Sequence, residues 1–357
     1  MSNLTIALAS LGGVVLAAVV AHGAWQARKA GPKRAAEPMP PPPRLEPREP
    51  TLDGVATTPG IFSTVPTEPA PAPAPLEPRL PKRPSVRLDA LIDAIAPLTL
   101  EAPVSGEFVL LHMPPSRRAG SKPFLIEGLN AESNEWEAPQ PGQRYSEFQA
   151  GVQLANRTGA LNEIEYSEFV QKVQDFAEAV GAMADFPDML DVVARARELD
   201  AFAGDHDAQL AVHLQARSAA WSVGYIQQHA GRHGFVAGVV PGRLVLPSAE
   251  EGAPPVLTLT FDSQAAFADD PNKAAVRDVT LSFDVPQTDP AAQPFVAWQA
   301  SAQALSLGMD SAIVDDHGRP LSPEGFAAIG SELTLLYEKL EARDLAAGSA
   351  AARRLFS

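Results

Sequence analysis

The sequence predicts an α+β protein. A cytoplasmic head, with a mostly antiparallel sheet covered on one face by helices (split β-α-β type), follows an N-terminal transmembrane helix and a disordered Pro-rich linker. Three observations carry this expectation. Leu4–Trp25 is an unbroken apolar stretch whose only titratable side chain is His22. Residues 28–86 hold 17 of the chain's 35 prolines. From Asp207 onward, period-two runs and helical stripes succeed one another as β-α-β-β-β-α-β-α, an order that packs helices on one face of a largely antiparallel sheet.

At ~1.5 Å per residue, a helix over residues 4–25 is long enough to cross a ~30 Å hydrocarbon core. Arg28, Lys29, Lys33 and Arg34 follow directly, with no basic side chain before the stretch. Positive charge collects on the cytoplasmic side, which puts the N-terminus outside and everything after Arg28 in the cytoplasm. A cleaved signal peptide has the opposite charge order and a small-x-small site, whereas Ala21-His22-Gly23 is a poor one. A soluble helix would need a polar face, which this stretch lacks. Gly12 and Gly13 could admit a second helix, although glycine is common in membrane helices in any case. Residues 1–27 are therefore expected to be an anchor that holds the inner-membrane lipid through residues 4–25.

Residues 28–86 include PMPPPPRLEPREP and PTEPAPAPAPLEPRLPKRP, which have no apolar periodicity. Such a segment cannot bury enough surface to offset its ordering entropy. At ~3.1 Å per residue in polyproline geometry it reaches up to roughly 180 Å. Tether, passive spacer and ligand for PxxP-reading modules are the available roles, and spacer or tether is the reading adopted.

The chain has no cysteine and a net charge of −15. Disulfides, thiolate zinc sites, iron–sulfur clusters and cysteine nucleophiles are thereby excluded. Residues 1–87 carry 10 basic and 6 acidic side chains, the remainder 18 and 37. A body that acidic does not suit nucleic acid or anionic lipid surfaces. Its place at a membrane would come from the anchor.

Order resumes at Arg87. Leu88, Leu91, Ile92 and Ile95 fit one helical stripe. Phe108–Met113 and Phe124–Leu129 read as strands, and Phe148, Ala150, Val152 and Leu154 alternate as a half-buried strand closed by the turn Asn156–Gly159. Phe169, Val173, Phe176 and Val180 line one helix that ends near Gly181. Met189, Val192, Ala196 and Leu199 line another after Pro187. Residues 87–205 thus form an additional α+β block. It is either a degenerate copy of the block that follows, with Phe169-Val170 matching Phe295-Val296, or an unrelated addition.

The second block, residues 206–345, opens with a strand through Leu210, Val212 and Leu214. A helix over 218–231 turns Val223, Ile226 and Ala230 inward. Phe235–Leu246 reads as a strand bent at Pro241-Gly242, and Val256–Phe261 and Val279–Val285 as two more. A helix over 291–309 buries Phe295, Trp298, Ala302, Leu305 and Met309. A short strand, Ala312–Asp315, leads through Gly318-Arg-Pro320 to a helix with Ser322 as its cap and Pro323 at its first position. Phe326, Ile329, Leu333, Leu336 and Leu340 line that helix, and residues 346–357 read as a flexible tail.

No Gly-rich phosphate loop, nucleophile elbow or HExxH occurs. Asp205-His206-Asp207, at a strand entrance, reads as a solvated turn, and Asp315-Asp316-His317 as a polar turn, because consecutive residues on an extended chain converge poorly on one ion. Arg117, Arg118 and Lys122 form a loop patch without interleaved aromatics. Trp221, Trp298, Tyr225 and Tyr337 read as core. No catalytic residue, metal ligand, cofactor or small-molecule substrate is expected.

In plan and in local wording the chain resembles the ZipA family, the membrane anchors of the bacterial division ring. The plan is an N-out span, a basic stop, a Pro-rich linker and this head. The wording is His213 in LAVHLQA, Gly238 in FVAG, Pro286 after VTLSFDV, and Val314-Asp-Asp-His-Gly-Arg-Pro-Leu-Ser322. Residues 87–205 and the segment Val239–Leu246 depart from the family pattern. The resemblance implies a non-enzymatic adaptor at the division site. It would bind the C-terminal peptide of FtsZ, the tubulin-like division polymer, on the sheet face that the helices leave open. Carried over by position, that face comprises Gln209, Ala211, His213, Val240, Leu244, Thr258, Thr260, Thr280, Ser282 and Asp284. Pleat alternation sends Leu210, Val212, Leu281, Phe283 and Val285 to the helix side, so the face is polar for an apolar peptide. A different peptide partner on the same fold is the alternative.

Overall fold

Among the described residues, two six-stranded antiparallel sheets, each with its own helices, and one two-stranded hairpin make up the fold. The structure is a computed structural model and describes residues 87–267, 270 and 274–357. The expected span at Leu4–Trp25 and the expected linker at 28–86 lie outside the described residues. Among the described residues no helix is long and apolar enough to cross a membrane.

The first block runs β1 (Asp93–Ser105), α1 (Gly106–His112), β2 (Arg118–Ala119), β3 (Lys122–Asn130), β4 (Trp136–Glu137), β5 (Arg144–Gln153), the hairpin β6 (Ala155–Asn156) and β7 (Gly159–Ala160), α2 (Glu163–Val180), β8 (Ala182–Ala184) and α3 (Met189–His206). The second runs β9 (Gln209–Ala216), α4 (Val223–Gly231), β10 (Val236–Ala237), β11 (Arg243–Leu246), β12 (Leu257–Thr260), α5 (Ser263–Ala266), β13 (Asp278–Asp284), α6 (Pro294–Met309), β14 (Ser311–Val314) and α7 (Pro323–Glu341); α8 (Ala350–Leu355) closes the chain.

The first sheet is ordered β2-β3-β5-β1-β8 and the second β10-β11-β12-β13-β9-β14. With β3, β5, β1 and β8 set against β12, β13, β9 and β14, the two orders coincide, and every pairing is antiparallel. The helices coincide as well. Phe169, Val173, Phe176 and Val180 of α2 occupy the places of Trp298, Ala302, Leu305 and Met309 of α6, all buried. Gly181 (φ 72°) and Asp310 (φ 55°) end these helices in the left-handed region, and each leads into the strand that pairs with the sheet's first strand. Asp188 caps α3 as Ser322 caps α7. The match of α2 to α6 thus sets Phe169 on Trp298, three residues beyond the Phe295 expected from the sequence.

The helices cover one face of each sheet. In the second block Trp298 is the centre, ringed by Phe283, Phe295 and Phe326 at 5.5–6.0 Å between ring centroids. Its indole N–H donates to the Leu281 carbonyl at 2.9 Å. Trp221 donates likewise to the Met309 carbonyl. Burying these rings while satisfying both N–H groups avoids the cost of an orphaned donor.

Five expectations are corrected. Residues 88–95 are not a helix. A turn that buries Ile92 leads into β1, where Ala94, Ala96 and Leu98 alternate into the core, and Pro97 would break a helix there. Phe108–Met113 is not a strand: Ser105 accepts the Phe108 N–H and starts α1, which exposes Phe108 and Leu111. Phe235–Leu246 is not one bent strand. Gly242 (φ 79°) reverses the chain, and β10 pairs back on β11 with Val236 opposite Val245. Residues 346–357 are not a loose tail. Leu355 and Phe356 are buried in the first block's core, and Arg354 grips the buried Asp93 through contacts of 2.5 and 2.7 Å. The expected helix over 218–231 also begins later, at Val223, because Ser222 is its cap and Trp221 bridges to Val276.

Candidate functional site: the open face of the second sheet

The pairing register fixes which side chains share the uncovered face. Arg243, Thr260, Thr280, His213 and Val314 form one cross-strand row. Val236, Val245, Thr258, Ser282 and Ala211 form the next; of these two rows Val314 and Ser282 are themselves buried. Gln209 and Asp284 sit opposite each other at the end of the face. The structure therefore brings together Gln209, Ala211, His213, Thr258, Thr260, Thr280, Ser282 and Asp284 as the sequence predicts.

It does not bring Leu244 to this face. Leu244 pairs with the buried Leu259 and is itself buried in the core under the helices. Because side chains alternate at period two, its neighbours Arg243 and Val245 take the open positions. Val240 lies outside the strands, in the β10–β11 turn, and is exposed beside the fully exposed Val239. Arg243 and Val245 were missed because Phe235–Leu246 was read as one strand. Pairing it as a hairpin about Pro241-Gly242, with Leu244 against Leu259, would have found them.

His213 is the best-anchored group on the face. Its Nδ1 lies 3.0 Å from Asp278 Oδ1 and its Nε2 lies 3.1 Å from Asp316 Oδ1. Carboxylates only accept, so this arrangement favours the protonated ring, in which both nitrogens donate. The hydrogen bond with Asp278 raises its pKa above the ordinary histidine value against an opposing effect of partial burial, and Asp316 adds to the rise. The segment after β14 delivers Asp316: Val314 bridges to Pro320, and Asp315 accepts the backbone N–H groups of His317 and Arg319 and pairs with the Arg319 guanidinium at 2.8 Å. At the other end of the face, Arg157 reaches from the β6–β7 hairpin to Asp207 and Asp284, both at 2.6 Å. Burial pushes the Asp284 carboxyl up even so, with Arg157 opposing the shift.

An apolar groove of about 480 Å³ borders the face at the β10 edge. Val239, Val240, Val245, Pro247 and Pro255 are among its apolar lining, and Arg243, Glu250 and Glu251 supply its charges. β10 is a two-residue edge strand, so an extended chain could add beside it. Among the described residues no group of three His, Asp or Glu side chains is placed to hold a metal ion. Together, the face and groove offer hydroxyl and carboxylate partners to a peptide backbone, with an apolar pocket at one end.

No protein-family model matches the chain, and no curated protein matches it.

Proposed function

We propose that this chain is a bitopic inner-membrane adaptor of the ZipA kind. It tethers FtsZ filaments of the division ring to the cytoplasmic face of the membrane. In this reading the span at 4–25 is the anchor, the N-terminus is periplasmic, the Pro-rich residues 28–86 give reach, and the second block holds the FtsZ C-terminal peptide. Tethering works by raising local concentration rather than by chemistry, and the protein is not an enzyme.

One observation carries most of the weight. The segment Val314–Ser322, on which the resemblance is most specific, folds back on β14 and places Asp316 on His213 of the open face. The resemblance and the candidate site thus meet at one cluster. The hydroxyl-rich rows favour a second reading, a scaffold of this fold with a different peptide partner.

The experiment is binding of a labelled FtsZ tail peptide to the full chain in lipid nanodiscs. Saturable binding that is lost in the triple variant His213→Ala, Val240→Asp, Thr258→Asp is the expected result. Binding that survives the triple variant refutes this face, and absence of binding leaves the different-partner scaffold as the reading that stands.

A further inference from the structure

The first sheet leaves the same face uncovered, and its chemistry differs. In register across it run Trp136, Leu129, Glu147, Thr99 and Met183. The next rows are Glu127, Gln149, Pro97 and then Leu125, Gly151, Ile95. The last two occupy the places of Thr260, Thr280, His213 and of Thr258, Ser282, Ala211 in the second sheet. Where the second sheet presents hydroxyls, the first presents Leu125, Ile95, Pro97, Leu129 and Met183. None of these five packs into the first block's core, and Met183 is 77% exposed.

Part of this face already holds a peptide. Leu88 lies on Gly151, where a Cβ would collide with it, and its backbone N–H donates to Glu127 Oε1 at 2.9 Å. Gln149 holds the other oxygen of Glu127 at 2.8 Å. An apolar side chain on the sheet, with main-chain bonding to a fixed carboxylate, is thus a binding mode this face supports.

The adjoining row is open and has an exposed carboxylate within it. Among the described residues no Lys or Arg pairs with Glu147, and Arg354, at the far end of the face, is committed to Asp93 and the Arg87 carbonyl. Leu129 and Met183 are three strand spacings apart, ~14 Å, and apolar side chains four residues apart on an extended peptide span ~13 Å. Glu147 lies one strand spacing from Leu129 and two from Met183, within reach of a Lys or Arg side chain carried between the two apolar residues.

We propose that the open face of the first sheet is a second docking surface, for an extended peptide carrying one Lys or Arg between two apolar residues. It operates independently of the peptide proposed for the second sheet.

The test uses the full chain in nanodiscs and a fluorescein-labelled probe, Ser-Leu-Thr-Lys-Thr-Leu-Ser, with an analogue that has Glu in place of Lys. Fluorescence anisotropy should show saturable binding of the probe, with the analogue at least tenfold weaker. Glu147→Lys should invert that preference, and Met183→Asp should weaken the probe at least tenfold. Thr258→Asp, on the second sheet, should leave it unchanged. Glu147 and Met183 are exposed, so circular dichroism of these variants should match the parent. The proposal is overturned if the probe does not saturate, if Glu147→Lys leaves the preference as it was, or if Thr258→Asp is the variant that abolishes binding. The FtsZ-tail assay reads the second sheet separately, so one reading can fail without the other.

Discussion

Replacing Arg354 by Leu tests whether the C-terminal segment is an integral part of the first block. The Asp93 side chain is fully buried and that of Arg354 is 14% exposed. The guanidinium makes two contacts with the carboxylate and one more with the Arg87 carbonyl. The substitution leaves Asp93 with the Asp89 N–H at 2.9 Å as its remaining donor. Removing one partner of a buried pair costs 3–5 kcal/mol because a buried charge is left uncompensated. The surviving donor and the partial exposure of Arg354 place the cost at the lower end, about 3 kcal/mol. With a urea slope of about 3 kcal/mol/M for a domain of this size, the unfolding midpoint should fall by about 1 M. Urea titration followed by circular dichroism measures this. Adding Asp93→Leu should recover most of the loss, since an apolar pair of similar volume is tolerated where a lone carboxylate is not. A midpoint shift below about 0.3 M for Arg354→Leu would refute the reasoning, as would a double variant no more stable than the single.

Three further outcomes are expected. His213 has a raised pKa in the folded protein, so its clamp contributes stability that is complete below its unfolded value of about 6.5 and is lost as pH rises through the folded value. An NMR titration of the His213 ring should show this, and Asp278→Asn should lower the midpoint. Trp298→Ala removes a buried ring from between Phe283, Phe295 and Phe326; a loss of about 3–5 kcal/mol is expected in denaturant unfolding. Gly128→Ala puts a Cβ 2.5 Å from the Tyr145 ring and 2.9 Å from Phe148, both buried, so a lowered melting temperature is expected in calorimetry.

The parts of the fold that were legible in the sequence are those with long, capped periodicity. Phe169 to Val180 before Gly181, and Ser322-Pro323 before Phe326, each announce a helix by stripe and by cap together. The errors share a physical cause. Leu88, Leu91, Ile92 and Ile95 satisfy a helical spacing, while the competing alternation runs through Ala94 and Ala96, whose small side chains weigh little. Phe108–Met113 is a short apolar run, and periodicity alone does not separate strand from helix there. The C-terminal segment has no stripe of its own; it is ordered by Asp93, 261 residues away in sequence, a contact no local pattern records.

The candidate face divides in the same way. Strands β9, β12 and β13 each alternate cleanly, so His213, Thr258, Thr260, Thr280 and Ser282 were legible. Leu244 was misassigned because one reversal at Gly242 shifted the parity of its strand, and parity is all that decides which face a side chain takes. Asp316 and Asp278 were invisible as partners of His213, since they come from different elements that only the sheet brings together.

The central claim is tethering, and reconstitution tests it most directly. FtsZ filaments would be mixed with lipid vesicles bearing the full chain, and filament mass on the vesicles measured by sedimentation and fluorescence microscopy. The account predicts filaments recruited to the vesicles, with recruitment lost when residues 1–27 are removed and when His213→Ala, Val240→Asp and Thr258→Asp are combined. Filaments that stay in bulk solution beside vesicles carrying the intact chain would contradict it.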